Sequence, residues 1–229
     1  MQMVILTGGL ATRLRPLTER IPKSMIVFRN QPFLWHQLEL VKKYQIHDIV
    51  LCVGYLADQI KSYFEGRKEM NMNIQYSEEK EPLGTAGALK NAEPLLDEEF
   101  LVMNGDSYLM LDYTEIIKYF RKRTKSALMV VYKNYNYYED SNVTVNNGLV
   151  TLYNRKIKTP EMVYVDAGLY LFKKEVVKLI PNNTKILLDE IFVKLVEQKE
   201  LLAFEISQRF YEIGSVSGLK EFKRFLQEK

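Results

Sequence analysis

Three short stretches of this chain concentrate residue types that can handle a polyphosphate. The first runs Gly8-Gly9-Leu10-Ala11-Thr12-Arg13-Leu14-Arg15-Pro16-Leu17-Thr18 and is followed by Ile21-Pro22-Lys23. Small residues let backbone N–H groups approach phosphate oxygens closely. Arg13 can fork across two such oxygens, while Lys23 supplies a compact charge. Arg13, Arg15, Arg20 and Lys23 fall within eleven residues, opposed only by Glu19. They read either as a pocket for a multiply charged anion or as a tight turn with solvated cations; the glycines ahead of them favour the pocket. The stretch is not a dinucleotide fingerprint, because Arg13 stands where a third glycine is needed, and no Gly-Lys-Ser/Thr follows to make a Walker loop.

The second stretch, Glu79-Lys80-Glu81-Pro82-Leu83-Gly84-Thr85-Ala86-Gly87-Ala88-Leu89, joins a proline turn to a helix that opens on glycine. It forms a close-packed wall for a ligand, or simply a glycine-rich helix entry. The third, Asn104-Gly105-Asp106, directly follows an apolar run. An aspartate at the carboxyl end of a strand is well placed to hold Mg²⁺ against a triphosphate, although ordinary turns use the same residues.

The surrounding pattern supplies the elements that would position these loops. Met3–Leu6, Ile49–Val53, Ile74–Ser77 and Phe100–Met103 are short apolar runs with strand character. Between them, Phe33–Tyr44, Ala57–Phe64 and Gly84–Asn91 carry helical spacing. Continuous apolar strands separated by helices indicate a parallel sheet covered on both faces, and ligands of such sheets bind beyond the carboxyl ends of the strands. The second half is richer in strands: Ala127–Tyr132, Val143–Val145, Leu149–Tyr153 and Val163–Phe172, with a hairpin turn at Asn146-Asn147-Gly148. Ile116–Arg123, Lys173–Leu179, Leu188–Gln198 and Val216–Leu226 return to helix. The expectation is an α/β fold, a Rossmann-like three-layer sandwich with a mixed, mainly parallel central sheet and a small β-rich insertion over its open edge.

Composition narrows the class. The 229 residues are 47% hydrophobic and 12% aromatic, enough for one sizeable core, with no repeat or low-complexity linker. The charge balance of 32 basic against 29 acidic residues gives +3, too mild for a nucleic-acid-binding surface. No apolar run approaches a membrane span, and no basic region precedes an apolar stretch at the amino terminus. With Cys52 as the only cysteine, an internal disulfide is excluded, and a cytoplasmic location is expected.

Taken together and in this order, the three motifs resemble those of the sugar-1-phosphate nucleotidylyltransferases, and the similarity extends through nearly the whole chain. The subgroup it most resembles is the short guanylyltransferases acting on mannose 1-phosphate or heptose 1-phosphate. The resemblance implies a single nucleotidyltransferase domain over residues 1–229, without the C-terminal left-handed β-helix of longer relatives. It also implies in-line attack by a sugar 1-phosphate oxygen on the α-phosphorus of a nucleoside triphosphate, with pyrophosphate leaving. By the same likeness Arg13 holds the pyrophosphate and Lys23 the α-phosphate, while Leu6, Gly8, Gly9, Glu79 and Gly84 face the nucleotide. Asp106 binds Mg²⁺, Gly105 lies beside the acceptor, and Glu212-Ile213-Gly214-Ser215 stands where the family has Asp-x-Gly-Thr, making Glu212 the second metal ligand. Asp166-Ala167-Gly168 resembles an Asn-Ala-Gly stretch that contacts sugar hydroxyls, so Asp166 and Gly168 are acceptor residues. Arg155-Lys156 resembles a Glu-Lys pair, so Lys156 holds the sugar phosphate and Arg155 replaces a glutamate.

Glu79 bears on the base. A carboxylate only accepts, and guanine presents N1–H and N2–H₂ as adjacent donors, whereas uracil and thymine flank N3–H with carbonyls. GTP therefore leads and CTP follows; the alternative is that Glu79 faces solvent and backbone groups near Gly84 read the base. His36 and His47 lack neighbouring ligands, Cys52 reads as a core residue, and Met70 and Met72 read as packing. Tyr135, Tyr137 and Tyr138 read equally as a substrate stack, an exposed loop or a subunit contact. A homodimer is compatible with the β-rich insertion. Two other functions stay open: a non-catalytic sugar-nucleotide sensor, and a cytidylyltransferase with a non-sugar phosphate acceptor.

Overall fold

The computed structural model of the chain describes residues 1–138 and 140–228. Its strands are β1 (Gln2–Leu6), β2 (Val27–Phe28), β3 (Gln31–Pro32), β4 (Asp48–Val53), β5 (Asn73–Glu78), β6 (Glu99–Asn104) and β7 (Ser107–Tyr108), then β8 (Ala127–Lys133), β9 (Val143–Asn146), β10 (Leu149–Tyr153), β11 (Tyr164–Lys173), β12 (Leu201–Ile206) and β13 (Tyr211–Glu212). The helices are α1 (Phe33–Lys42), α2 (Ala57–Phe64), α3 (Gly84–Asn91), α4 (Tyr113–Arg121), α5 (Leu188–Glu197) and α6 (Val216–Gln227).

Nine strands form one sheet in the order β5-β4-β1-β6-β11-β8-β12-β10-β9. Strands β5, β4, β1 and β6 are parallel, as their continuous apolar sequences require. Side chains alternate between two cores: Met3, Ile5, Ile49, Leu51, Leu101 and Met103 face one side, and Val4, Val50, Cys52, Phe100 and Val102 the other. Helices α1, α2, α4 and α6 bury their apolar stripes in the first core, α3 and α5 in the second, which completes the three layers.

In the second half, β11 is antiparallel to both β6 and β8, whereas β8 and β12 are parallel. The expected predominance of parallel pairing thus holds for the first half. The later strands continue the central sheet instead of covering it; only the β9–β10 hairpin turns back, with Val143 pairing to Tyr164 at the start of β11. Strand β12 fills a central place that its position between two helical stretches concealed. Lys174–Leu179 is a 3₁₀ turn in place of the expected α-helix. Among the described residues no helix is long and apolar enough to cross a membrane.

Candidate active site

The sheet register brings the three chemical stretches to one edge. Leu6 stands opposite Cys52 on one side and Asn104 on the other, and Val53 opposite Glu78. Because β4 and β6 flank β1 on opposite sides, the chain's crossovers diverge here, and a crevice opens beyond these strand ends. Two adjoining cavities of about 550 Å³ and 490 Å³ occupy it. Asn104, Asp106 and Arg155 line both, so the two lobes meet at the end of β6.

The smaller lobe is lined by Leu6, Gly8, Gly9, Lys23, Glu79, Gly84 and Gly105, together with Thr7, Tyr170 and Asp189. The Thr7 hydroxyl donates to the Cys52 carbonyl at 2.7 Å, fixing the turn that presents Gly8. Gly105 donates its N–H to the Leu6 carbonyl at 3.0 Å. A Cβ there would stand 2.5 Å from that oxygen, so only glycine permits the approach. Gly84 adopts φ +73°, and a Cβ on it would meet the Ile186 carbonyl oxygen at 2.6 Å. That carbonyl accepts from Ala86 and Gly87, which ties the opening turn of α3 to residues 184–186.

Glu79 turns into this lobe. Its Oε2 accepts from the Leu83 N–H at 3.0 Å, and its Oε1 would lie 2.8 Å from a Cβ at Gly8 and 2.7 Å from one at Gly54. Burial raises its carboxyl pKa, and the Leu83 hydrogen bond opposes that shift. Gly54, missed in the sequence, is therefore part of the seat of Glu79; its signal was a glycine directly after an apolar strand, as at Gly8. Cys52 sits beneath, its thiol pushed up to about 12 by burial and by the Glu79 charge, as suits an inert core residue.

Charge converges where the lobes meet. Lys23, on a 3₁₀ turn after Pro22, donates to Asp106 Oδ2 at 2.5 Å across 83 residues of sequence. Strand β13 pairs with β7, setting Glu212 opposite Ser107, and the Ile213 N–H donates to the Asp106 carbonyl at 2.9 Å. A Cβ on Gly214 would lie 2.7 Å from Glu212 Oε2, 3.0 Å from Asp106 Oδ2 and 3.2 Å from Arg13 Nη2, so these groups surround one point. Glu212 also accepts from the Gly214 N–H and, at 2.5 Å, from the Ser215 hydroxyl. Ser215 caps α6 by accepting from the Gly218 N–H at 2.9 Å. The helix is anchored by Phe222, fully buried with its ring centroid 4.9 Å from those of Phe28 and Phe33. Burying such a side chain contributes on the order of 1.5–3 kcal/mol, and this packing holds Glu212 at the site.

The larger lobe contains Arg13, Asp166, Gly168 and Glu212 with Tyr138, Lys158, Arg209 and Phe210. Arg13 thus lies on the side of the lobe junction away from Gly8 and Gly9. Tyr138, one of three tyrosines left open by the sequence, faces this lobe under the Arg209 guanidinium, 4.0 Å from its ring centroid. Lys156, expected at the acceptor phosphate, lines neither lobe and is exposed. The reason is local: the Asn154 side chain accepts from the N–H groups of Lys156 and Ile157 at 2.8 Å each, making a turn that leaves Arg155 in the cleft. Asp166, expected to accept from a sugar hydroxyl, is instead buried and occupied by protein donors: Gly168 N–H at 2.9 Å, Tyr170 hydroxyl at 2.8 Å and Arg155 Nη2 at 3.1 Å. Elsewhere His36 Nε2 lies 2.9 Å from the Phe28 carbonyl and His47 Nδ1 3.0 Å from that of Asn71, and neither histidine lines either lobe.

The chain is 34% identical over 224 residues to mannose-1-phosphate guanyltransferase 2 of Candida glabrata, covering 93% of this chain and 61% of that protein. The mannose-1-phosphate guanyltransferase of Saccharomyces cerevisiae is 33% identical with the same coverage, so the chain spans about three fifths of the length of these curated relatives. Among solved structures, HddC from Yersinia pseudotuberculosis in complex with GMP-PN superposes with a TM-score of 0.81 at 25% identity, covering 98% of this chain and 99% of that one. The nucleotidyl transferase family matches residues 2–229. With the family's match running the length of the sheet and both lobes, this chain belongs to the nucleotidyl transferase family.

Proposed function

We propose that this chain is a sugar-1-phosphate guanylyltransferase, forming a GDP-sugar and pyrophosphate from GTP and a mannose- or heptose-type sugar 1-phosphate. The observation that carries the reading is the Lys23–Asp106 pair at the junction of two lobes. One lobe suits a nucleotide and the other an acceptor, and their junction is where an α-phosphate and an attacking oxygen must meet. The names of the relatives favour guanine and mannose, and Glu79 offers a carboxylate to the paired guanine donors.

The acceptor's phosphate oxygen forms a bond to the α-phosphorus as the bond to the β-bridging oxygen breaks. That oxygen leaves with the electron pair on pyrophosphate. Such a transfer needs alignment and charge neutralisation more than covalent help. The N–H groups of Gly8 and Gly9 would receive phosphate oxygens, and Lys23 would pass from Asp106 to the α-phosphate. Arg13, beside Asp106 and Glu212, would steady the phosphates from the other side. Asp106 and Glu212 fit Mg²⁺, offering two hard oxygens around one point, as such ions take one or two carboxylates plus substrate phosphates. When bound, Mg²⁺ would neutralise charge on the triphosphate.

One observation favours a second reading, a sensor that binds without turnover: both Glu212 oxygens already accept protein hydrogen bonds. Pyrophosphate release decides between them, measured with GTP, CTP, UTP and dTTP against mannose, heptose and glucose 1-phosphates in Mg²⁺. Release from GTP with a mannose- or heptose-type acceptor is expected. Release from another triphosphate alone would reassign the base, and none with any pair would favour the sensor.

A further inference from the structure

Arg155, from the loop after β10, and Asp166, on β11, meet in the structure as one ion pair. Arg155 Nη2 donates to Asp166 Oδ2 at 3.1 Å, and the Asp166 side chain is wholly buried. Nε of the same guanidinium donates to the Tyr153 hydroxyl at 2.7 Å and lies 3.6 Å from Asp189. The arginine is thus gripped on one edge. Its Nη1 has no hydrogen-bond partner among the described residues, and its side chain is 48% exposed.

Position gives that free edge a use. Among the described residues, Arg155 is the cation that lines both lobes, facing the junction where Asp106 also stands. An acceptor phosphate poised to attack must lie at that junction. A fixed guanidinium with one open edge matches a phosphate better than a mobile ammonium does. Lys156 cannot compete while the Asn154 turn holds it outside both lobes. Burial and the neighbouring Asp166 charge both raise the Tyr153 and Tyr170 phenol pKa values, keeping these groups protonated beside the pair.

We propose that Arg155, not Lys156, binds the phosphate of the acceptor, and that Asp166 is a positioning residue that aims it. The inference rests on the reading of the cleft as a sugar-1-phosphate site, and its test separates the two. Turnover and direct binding of mannose 1-phosphate, the latter with a non-hydrolysable GTP analogue present, are measured for the wild type, Arg155→Ala, Arg155→Gln, Lys156→Ala, Asp166→Asn and the Arg155→Gln/Asp166→Asn double variant.

Loss of a charge-assisted contact predicts that Arg155→Ala raises the acceptor KM and Kd about tenfold or more, with the GTP KM within about twofold of wild type. Lys156→Ala should leave both unchanged. Asp166→Asn should raise the acceptor KM as well, and the double variant should be no worse than Arg155→Gln alone, because the aspartate acts through the arginine. The double variant also leaves no unpaired buried carboxylate, so it reports on binding if Arg155→Ala folds poorly. Equal acceptor binding by wild type and the Arg155 variants would overturn the assignment, as would loss of binding in Lys156→Ala or no binding by the wild type. Binding that depends on Arg155 without turnover would defeat the transferase reading while leaving the arginine's role intact.

Discussion

In a Lys23→Ala variant the cleft keeps its walls and loses one charge. The Lys23 and Asp106 side chains are 22% and 21% exposed, so the pair lies between a solvent-screened and a buried one. Its loss should therefore cost stability about 1–3 kcal/mol, a fall in Tm of about 2–12 °C for a chain of this size. The transition state is another matter, because negative charge gathers on the α-phosphate, where among the described residues no other lysine at the junction replaces Lys23. Removing one preorganised donor of this kind costs about 10²–10³-fold in kcat, or roughly 2.7–4 kcal/mol. The assay is pyrophosphate release at saturating GTP, acceptor and Mg²⁺, paired with thermal melting of the same samples. A kcat within about threefold of wild type, equivalent to well under 1.4 kcal/mol, would remove Lys23 from the chemistry. A Tm fall far beyond the stated range would instead mark it as a structural group.

Three further outcomes are expected. Asp106→Asn, which keeps the side-chain shape but removes a hard anionic ligand, should raise the Mg²⁺ concentration needed for half-maximal turnover; an unchanged metal titration would refute its ligand role. Glu79→Gln should lower the preference for GTP over CTP and UTP. Burial lifts the Glu79 carboxyl above its ordinary 4.5. The folded state therefore holds this proton more tightly, and the group's contribution to stability is fully present below 4.5 and declines as pH rises through the raised value. GTP affinity should rise over the same window as the acceptor-only form appears, and the glutamine variant should flatten both trends; parallel pH profiles would retire the base-reading argument. Gly84→Ala combines a left-handed backbone with a collision against the Ile186 carbonyl. It should cost at least about 2 kcal/mol, or about 4–8 °C in Tm, and an unchanged melt would show that the α3 entry relaxes freely.

The first half of the fold was legible because each strand there is a continuous apolar run. Val4 and Ile5 enter different cores, so both faces need apolar residues, and the helices between declare themselves by their stripes. Strand β12 was missed because Leu201–Ile206 looks like the tail of a helical stretch, and its place depends on pairing with β8 across 74 residues, from Leu201 to Ala127. The loops beyond β1 and β6 could be recognised from glycines and charges. The direction of a side chain could not: the Asn154 turn selects Arg155 over Lys156 for the cleft, a one-residue choice that composition does not encode. Likewise, Asp166 and Arg155 read as two unrelated replacements until β11 brought them together. Gly54 belonged to no motif, and its meaning appears only once Glu79 rests against it.

With GTP bound, Lys23 should leave Asp106 for the α-phosphate, the base should lie beside Glu79 and the acceptor should occupy the larger lobe. A crystal structure with a non-hydrolysable GTP analogue and Mn²⁺, the metal located by its anomalous signal, tests this most directly. The expected density shows one metal ligated by Asp106 and Glu212, the α-phosphate on Lys23 and guanine against Glu79. Nucleotide in the larger lobe, or metal bound away from Asp106, would contradict it.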